Sequence, residues 1–93
     1  MLKLQFFGLI RLLLQRQAMD IAWVEGDTVE RVLARAEKQA AIAFVHKLLE
    51  DQGAPHAGTI ILVNRRNIVH LQGMQTELAD GDVLAFFPPG AGG

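Results

Sequence analysis

Residues 27–50 read DTVERVLARAEKQAAIAFVHKLLE, and their apolar spacing sets what the rest of the chain must supply. Val29, Val32, Leu33, Ala36, Ala40, Ala43, Phe44 and Leu48 follow one another mostly at steps of three and four. That spacing holds one apolar face over about six helical turns. Glu30, Arg31, Arg35, Glu37, Lys38 and Lys47 fall on the other faces. Asp27 with Glu30 three residues on makes a capping-box start, and Gly53 followed by Pro55 makes a stop. A long helix with one apolar face needs a surface to cover.

The flanks supply that surface. Towards the N-terminus, Met19, Ile21 and Trp23 alternate with Asp20 and Ala22 within residues 17–24. In LKLQFFG at 2–8, Leu2, Leu4 and Phe6 alternate with Lys3, Gln5 and Phe7. Both read as half-buried strands, with Phe7 the odd member on a polar face. Towards the C-terminus, TIILVN at 59–64 is rich in β-branched residues and reads as a central strand. NRRN at 64–67 is a tight turn without glycine, so Asn64 or Asn67 is expected at positive φ. IVHL at 68–71 reads as a short returning strand and residues 72–82 as loop. VLAFFP at 83–88 is the last strand, ended by Pro88, which has no N–H to give. The order β-β-α-β-β-β predicts an α+β layer, one long helix on one face of a mixed sheet. The β-grasp (ubiquitin-like) architecture has this order. Residues 1–87 are expected to form that domain and 88–93 a flexible tail.

Composition narrows the function. The chain has 93 residues, 51% of them hydrophobic, and a net charge of −1. That is one domain with a core, without the basic surface that nucleic-acid binding needs. Cysteine is absent, which removes disulfides, thiolate metal sites and a cysteine nucleophile. The apolar N-terminal run is interrupted by Arg11, no cleavage site follows, and no stretch nears the ~20 residues of a membrane span. A cytoplasmic protein with no membrane or nucleic-acid partner is expected.

The tail carries the chemistry. FFPPGAGG at 86–93 sets two aromatics, two prolines and then residues with almost no side chain. Without a Cβ, Gly92 and Gly93 fit a channel that closes on both sides of the backbone. Pro88 and Pro89 favour an extended, projecting course, and residues 88–93 reach about 20 Å when extended. The functional group is then the carboxylate of Gly93. It needs activation, for example as an acyl-adenylate, and no phosphate-binding loop is present: GAGG is followed by neither a helix nor Lys-Ser/Thr. The chain reads as a substrate and carrier with no bound cofactor, ATP being used by an activating partner.

LADGDVLAFFPPGAGG at 78–93 resembles the C-terminus of the MoaD/ThiS family of ubiquitin-like sulfur carriers, above all the small subunit of molybdopterin synthase. KLQFFGLIR at 3–11, TVERVL at 28–33 and Val63-Asn64 are similar to that family's first strand, helix start and third strand. The resemblance implies a β-grasp fold and adenylation of Gly93 by an E1-like adenylating enzyme. It further implies conversion to a thiocarboxylate by a sulfur donor and docking on the molybdopterin synthase large subunit. The chain itself would be a non-catalytic subunit. Some tungsten-cofactor carriers, and some protein modifiers joined to lysines through the terminal glycine, share this ending. Thiamin-pathway carriers, an alternative class, are similar to a lesser degree, because they are generally shorter and lack the Phe-Pro-Pro element. Arg65-Arg66 stands where the family often has a glycine turn.

Strand alternation places Phe7 and Phe87 together on the face away from the helix, either packed under a loop or exposed as a docking patch. The resemblance favours docking, with Ile68 as a third member; Arg11 reads either as a contact to the partner or as half of a surface ion pair. His46, His56 and His70 share no metal-ligand spacing, so no metal site is expected. Asp80 and Asp82 read as turn formers rather than paired acid–base groups. Trp23 is expected in or near the core. A plain β-grasp binding module remains as a third functional class.

Overall fold

The computed structural model describes residues 1–90. The elements are β1 (Leu2–Phe6), α1 (Gly8–Leu14), β2 (Ala18–Ile21), α2 (Val29–Ala40), β3 (Ile60–Val63), β4 (Arg66–Asn67) and β5 (Val83–Phe87). The five strands form one mixed sheet in the order β2-β1-β5-β3-β4. β1 and β5 run parallel at its centre, and every other pairing is antiparallel. Among the described residues no helix is long and apolar enough to cross a membrane.

Strand alternation sorts the side chains. Leu2, Leu4, Phe6, Met19, Ile21, Ile61, Val63, Leu84 and Phe86 are buried on the face that meets the helices. From α2, Val29, Val32, Leu33 and Ala36 complete the core. Phe6 lies at its centre, edge-on to Phe44 at 5.6 Å and stacked on Phe86 at 6.2 Å. Trp23 packs against this core and its indole N–H donates to the Leu78 carbonyl at 3.0 Å.

The helical readings need correction at both ends. α2 stops at Ala40, because Ala41 takes the left-handed conformation at φ 58 and donates its N–H to the Glu37 and Lys38 carbonyls. The Glu37 carboxylate then accepts the N–H groups of Phe44 and Val45, both at 2.9 Å. This folds the chain back into a 3-10 turn over Val45–Lys47. Phe44 and Leu48 are still fully buried, but they reach the core from this turn. The apolar period continued although the helix did not, so Gly53 is not its stop.

Thr28, not Asp27, is the N-cap, accepting from the Arg31 N–H at 3.3 Å. Asp27 is 3% exposed and holds the Arg35 guanidinium through both oxygens at 2.7 Å. It also accepts the Val24 N–H at 2.9 Å, while Arg35 reaches the Ala22 carbonyl at 2.7 Å. The hydrogen bond from Arg35 lowers the Asp27 pKa below the usual carboxylate value, against a desolvation effect that raises it. This cluster ties the loop after β2 to α2.

A helix that the alternation did not suggest is α1. Ile10 and Leu14, one turn apart, are buried beneath it, while Leu9 and Leu12 are 61% and 72% exposed. Residues 68–71 are not a returning strand. Asn67 Oδ1 accepts the Val69 N–H at 3.0 Å and winds Ile68–His70 into a 3-10 turn. The preceding tight turn places Asn64 at φ 49 and Arg65 at φ 72, both positive, while Asn67 is extended.

Candidate functional site

The sheet face away from the helices is open. Phe7 follows β1 and donates its N–H to the Phe86 carbonyl at 3.1 Å, which prolongs the parallel pairing by one residue. Phe7 and Phe87 therefore sit side by side, stacked at 4.3 Å with their planes 10° apart. Both rings are half-buried. The two odd aromatics of the sequence thus form one unit at the point where the chain leaves the sheet.

Ile68 is not part of this unit. It is 3% exposed and packs in the core, because the 3-10 turn rotates its side chain beneath the sheet. The third apolar member is Ile60, which pairs with Phe87 across β3 and β5 and is 43% exposed. Alternation through TIILV carried that signal: with Ile61 and Val63 inward, Ile60 and Leu62 face outward.

The same face has a groove. Ala85 is the small member of the outward row Val83, Ala85, Phe87 on β5. Gln5 of β1 and Leu62 of β3 pair with it on either side. The result is an open concavity of about 530 Å³, walled by Phe7 and Phe87 at one end and by Asn64 and Arg65 at the other. Arg11 is exposed on α1 and borders a smaller hollow that Phe7 also lines, so it lies near the stacked pair.

The start of the tail is held. Pro88 is buried and Pro89 half-buried. Pro89 lies against Gly58, where an added Cβ would meet the Pro89 Cβ at 3.4 Å. Pro89 and Gly90 then form a turn with Gly90 at φ 77, so the two prolines do not project straight from the sheet. Gly92 and Gly93 lie outside the described residues, as does the flexibility expected of the end of the tail.

The remaining candidates are structural. Asp82 accepts the Ala79 N–H at 2.8 Å and Asn64 Nδ2 at 2.9 Å, while Asn64 Oδ1 accepts the Val83 N–H at 2.9 Å. Asp80 contacts the N-terminal amine. His56 Nε2 donates to the His46 carbonyl at 2.8 Å. Among the described residues no three His, Cys, Asp or Glu groups gather as a metal site would require.

One helix-covered mixed sheet, with parallel central strands and a C-terminal strand running into a glycine-rich end, defines a β-grasp, ubiquitin-like protein. The chain belongs to the ThiS family, whose model matches residues 4–93. It is therefore a sulfur carrier or ubiquitin-like modifier and not a catalyst. It is 36% identical to small archaeal modifier protein 3 of Haloferax volcanii, over 99% of this chain and 98% of that one. A putative molybdopterin converting factor, subunit 1, from Pyrococcus furiosus is 25% identical, with a TM-score of 0.71 and 95% of each chain covered. The BexX/CysO complex of Amycolatopsis orientalis contains a chain with the same fold, at TM-score 0.79, 21% identity and full coverage of both chains.

Proposed function

We propose that the chain is a ubiquitin-like modifier and sulfur carrier whose working group is the carboxylate of Gly93. An E1-like enzyme would bind the open face at Phe7, Phe87, Ile60 and Arg11 and receive the tail. ATP would join its AMP moiety to the carboxylate and release pyrophosphate. A lysine amine attacking that mixed anhydride expels AMP and leaves an amide. A sulfide sulfur attacking the same carbon expels AMP and leaves a thiocarboxylate. Nothing in this sequence of events uses a side chain of the carrier. The observation that carries the reading is the position of the stacked Phe7–Phe87 pair, immediately beside the strand that leads into the glycine end.

The likeness to a small archaeal modifier over nearly the whole of both chains favours lysine attachment. Supply of sulfur to molybdopterin, as small subunit of the synthase docking on its large subunit, is the second reading. The similarity to the Pyrococcus furiosus protein supports it. Both begin with the same activation. With the E1-like enzyme of the source organism, ATP–pyrophosphate exchange is expected to depend on this protein and to vanish when Gly92 and Gly93 are deleted. Exchange that survives the deletion contradicts the proposal.

A further inference from the structure

The groove along β5 has unlike ends. Phe7 and Phe87 make the end beside the tail apolar, and Ile60 sits next to Phe87 outside the lining. Arg65 stands at the other end, beside Val83, about 13 Å away along the strand. Among the described residues it is the only charged one in the lining itself, with Lys3 next to Val83 on the same face. Among the described residues no ion pair engages its guanidinium. The carboxylate in the adjoining turn, Asp82, is occupied on both oxygens by Asn64 and Ala79.

Arg65 is also held in an unusual backbone. It occupies the second position of a two-residue turn at φ 72, where glycine is the residue most easily accommodated. A glycine would close this hairpin with less strain and would present no cation. The side chain, rather than the turn, explains an arginine here.

We propose that Arg65 is the docking anchor for a carboxylate on the activating enzyme. The inference rests on the carrier reading above and specifies the partner of the same face. The matching segment of that enzyme carries an apolar side chain that seats on Phe7 and Phe87. An Asp or Glu side chain some 13 Å further along the groove meets Arg65. Arg65, with Lys3 of β1 beside Val83 on the same face, makes one end of the groove cationic and the other apolar. That suits a carboxylate beside an apolar side chain, whereas a polyanion needs a row of cations.

The test is the steady-state kinetics of activation by the source organism's E1-like enzyme, with this protein as varied substrate and at several NaCl concentrations. Arg65→Gln is expected to raise KM roughly threefold to fivefold at low salt, with kcat unchanged, and to flatten the salt dependence of KM. Arg65→Lys retains most of the affinity and all of the salt dependence. Arg65→Gly shows the same KM defect while its urea midpoint rises, which separates docking from folding. Wild-type activation with KM and salt slope unaltered by Arg65→Gln overturns the anchor and leaves the carrier reading standing. Failure of the wild-type protein to be activated overturns both.

Discussion

Replacing Asp27 by Asn removes a charge from the joint that ties the loop after β2 to α2. The side chain is 3% exposed, and it holds two guanidinium N–H groups at 2.7 Å and the Val24 N–H at 2.9 Å. An amide presents one oxygen and one N–H₂, so at least one of these three donors faces another donor. Breaking a buried ion pair on one side costs about 3–5 kcal/mol. Arg35 is 35% exposed, so water recovers part of that cost, and about 2–3 kcal/mol is expected. For a domain of this size the melting temperature then falls by roughly 10–20 °C. The loss has a definite pH dependence. Asp27 is lowered in the folded state, so its contribution is fully present above the unfolded pKa of 3.8 and is lost as pH falls through the folded value. Urea unfolding of both proteins from about pH 7 to pH 2 should show a constant gap that closes below about pH 4. A gap under about 1 kcal/mol at pH 7, or one that persists undiminished into acid, means that the Asp27 charge does not hold this joint.

Ala41→Gly relieves a left-handed alanine at the end of α2 and should raise stability by about 1 kcal/mol in urea unfolding, since Ala41 is exposed and loses no packing. Glu37→Ala leaves the N–H groups of Phe44 and Val45 without their acceptor and should lower it by about 1–2 kcal/mol in the same assay. Gly58→Ala places a Cβ against Pro89 at φ 91 and should cost about 1–2 kcal/mol, with added mobility at Pro89 and Gly90 in NMR relaxation. Ala85→Phe fills the groove from its floor without touching the core. It should leave the melting temperature nearly unchanged and raise KM for activation about tenfold or more, read in the same kinetics.

The architecture was legible because burial follows alternation, and alternation is plain in β1, β2, β3 and β5. The Phe7–Phe87 pair was legible for the same reason: each is an aromatic on the outward side of its strand. Three features were not. α1 is seven residues long, too short for a periodic signal, and its exposed leucines blur the face that Ile10 and Leu14 define. The end of α2 is set by the Glu37 carboxylate meeting two N–H groups seven and eight residues on, a contact that exists only once the chain has folded. Ile68 was placed on the docking face by the family resemblance, and one hydrogen bond from the Val69 N–H to Asn67 accompanies the 3-10 turn that sets it inward. Arg65 raised a question as a departure from a glycine turn, but its place at the end of a groove depends on Ala85 being small beside it. None of that is visible along the chain.

In the proposed function Gly93 is activated and then carries sulfur or joins a lysine. The most direct test is intact mass spectrometry of the protein from its native host, purified without acid or reductant, together with peptide analysis of the same lysate. The expected result is a species in which one terminal oxygen has become sulfur, conjugates that yield lysines bearing the glycine remnant, or both. A wholly unmodified mass, with no conjugates under conditions that induce the pathway, contradicts it and leaves a β-grasp binding module.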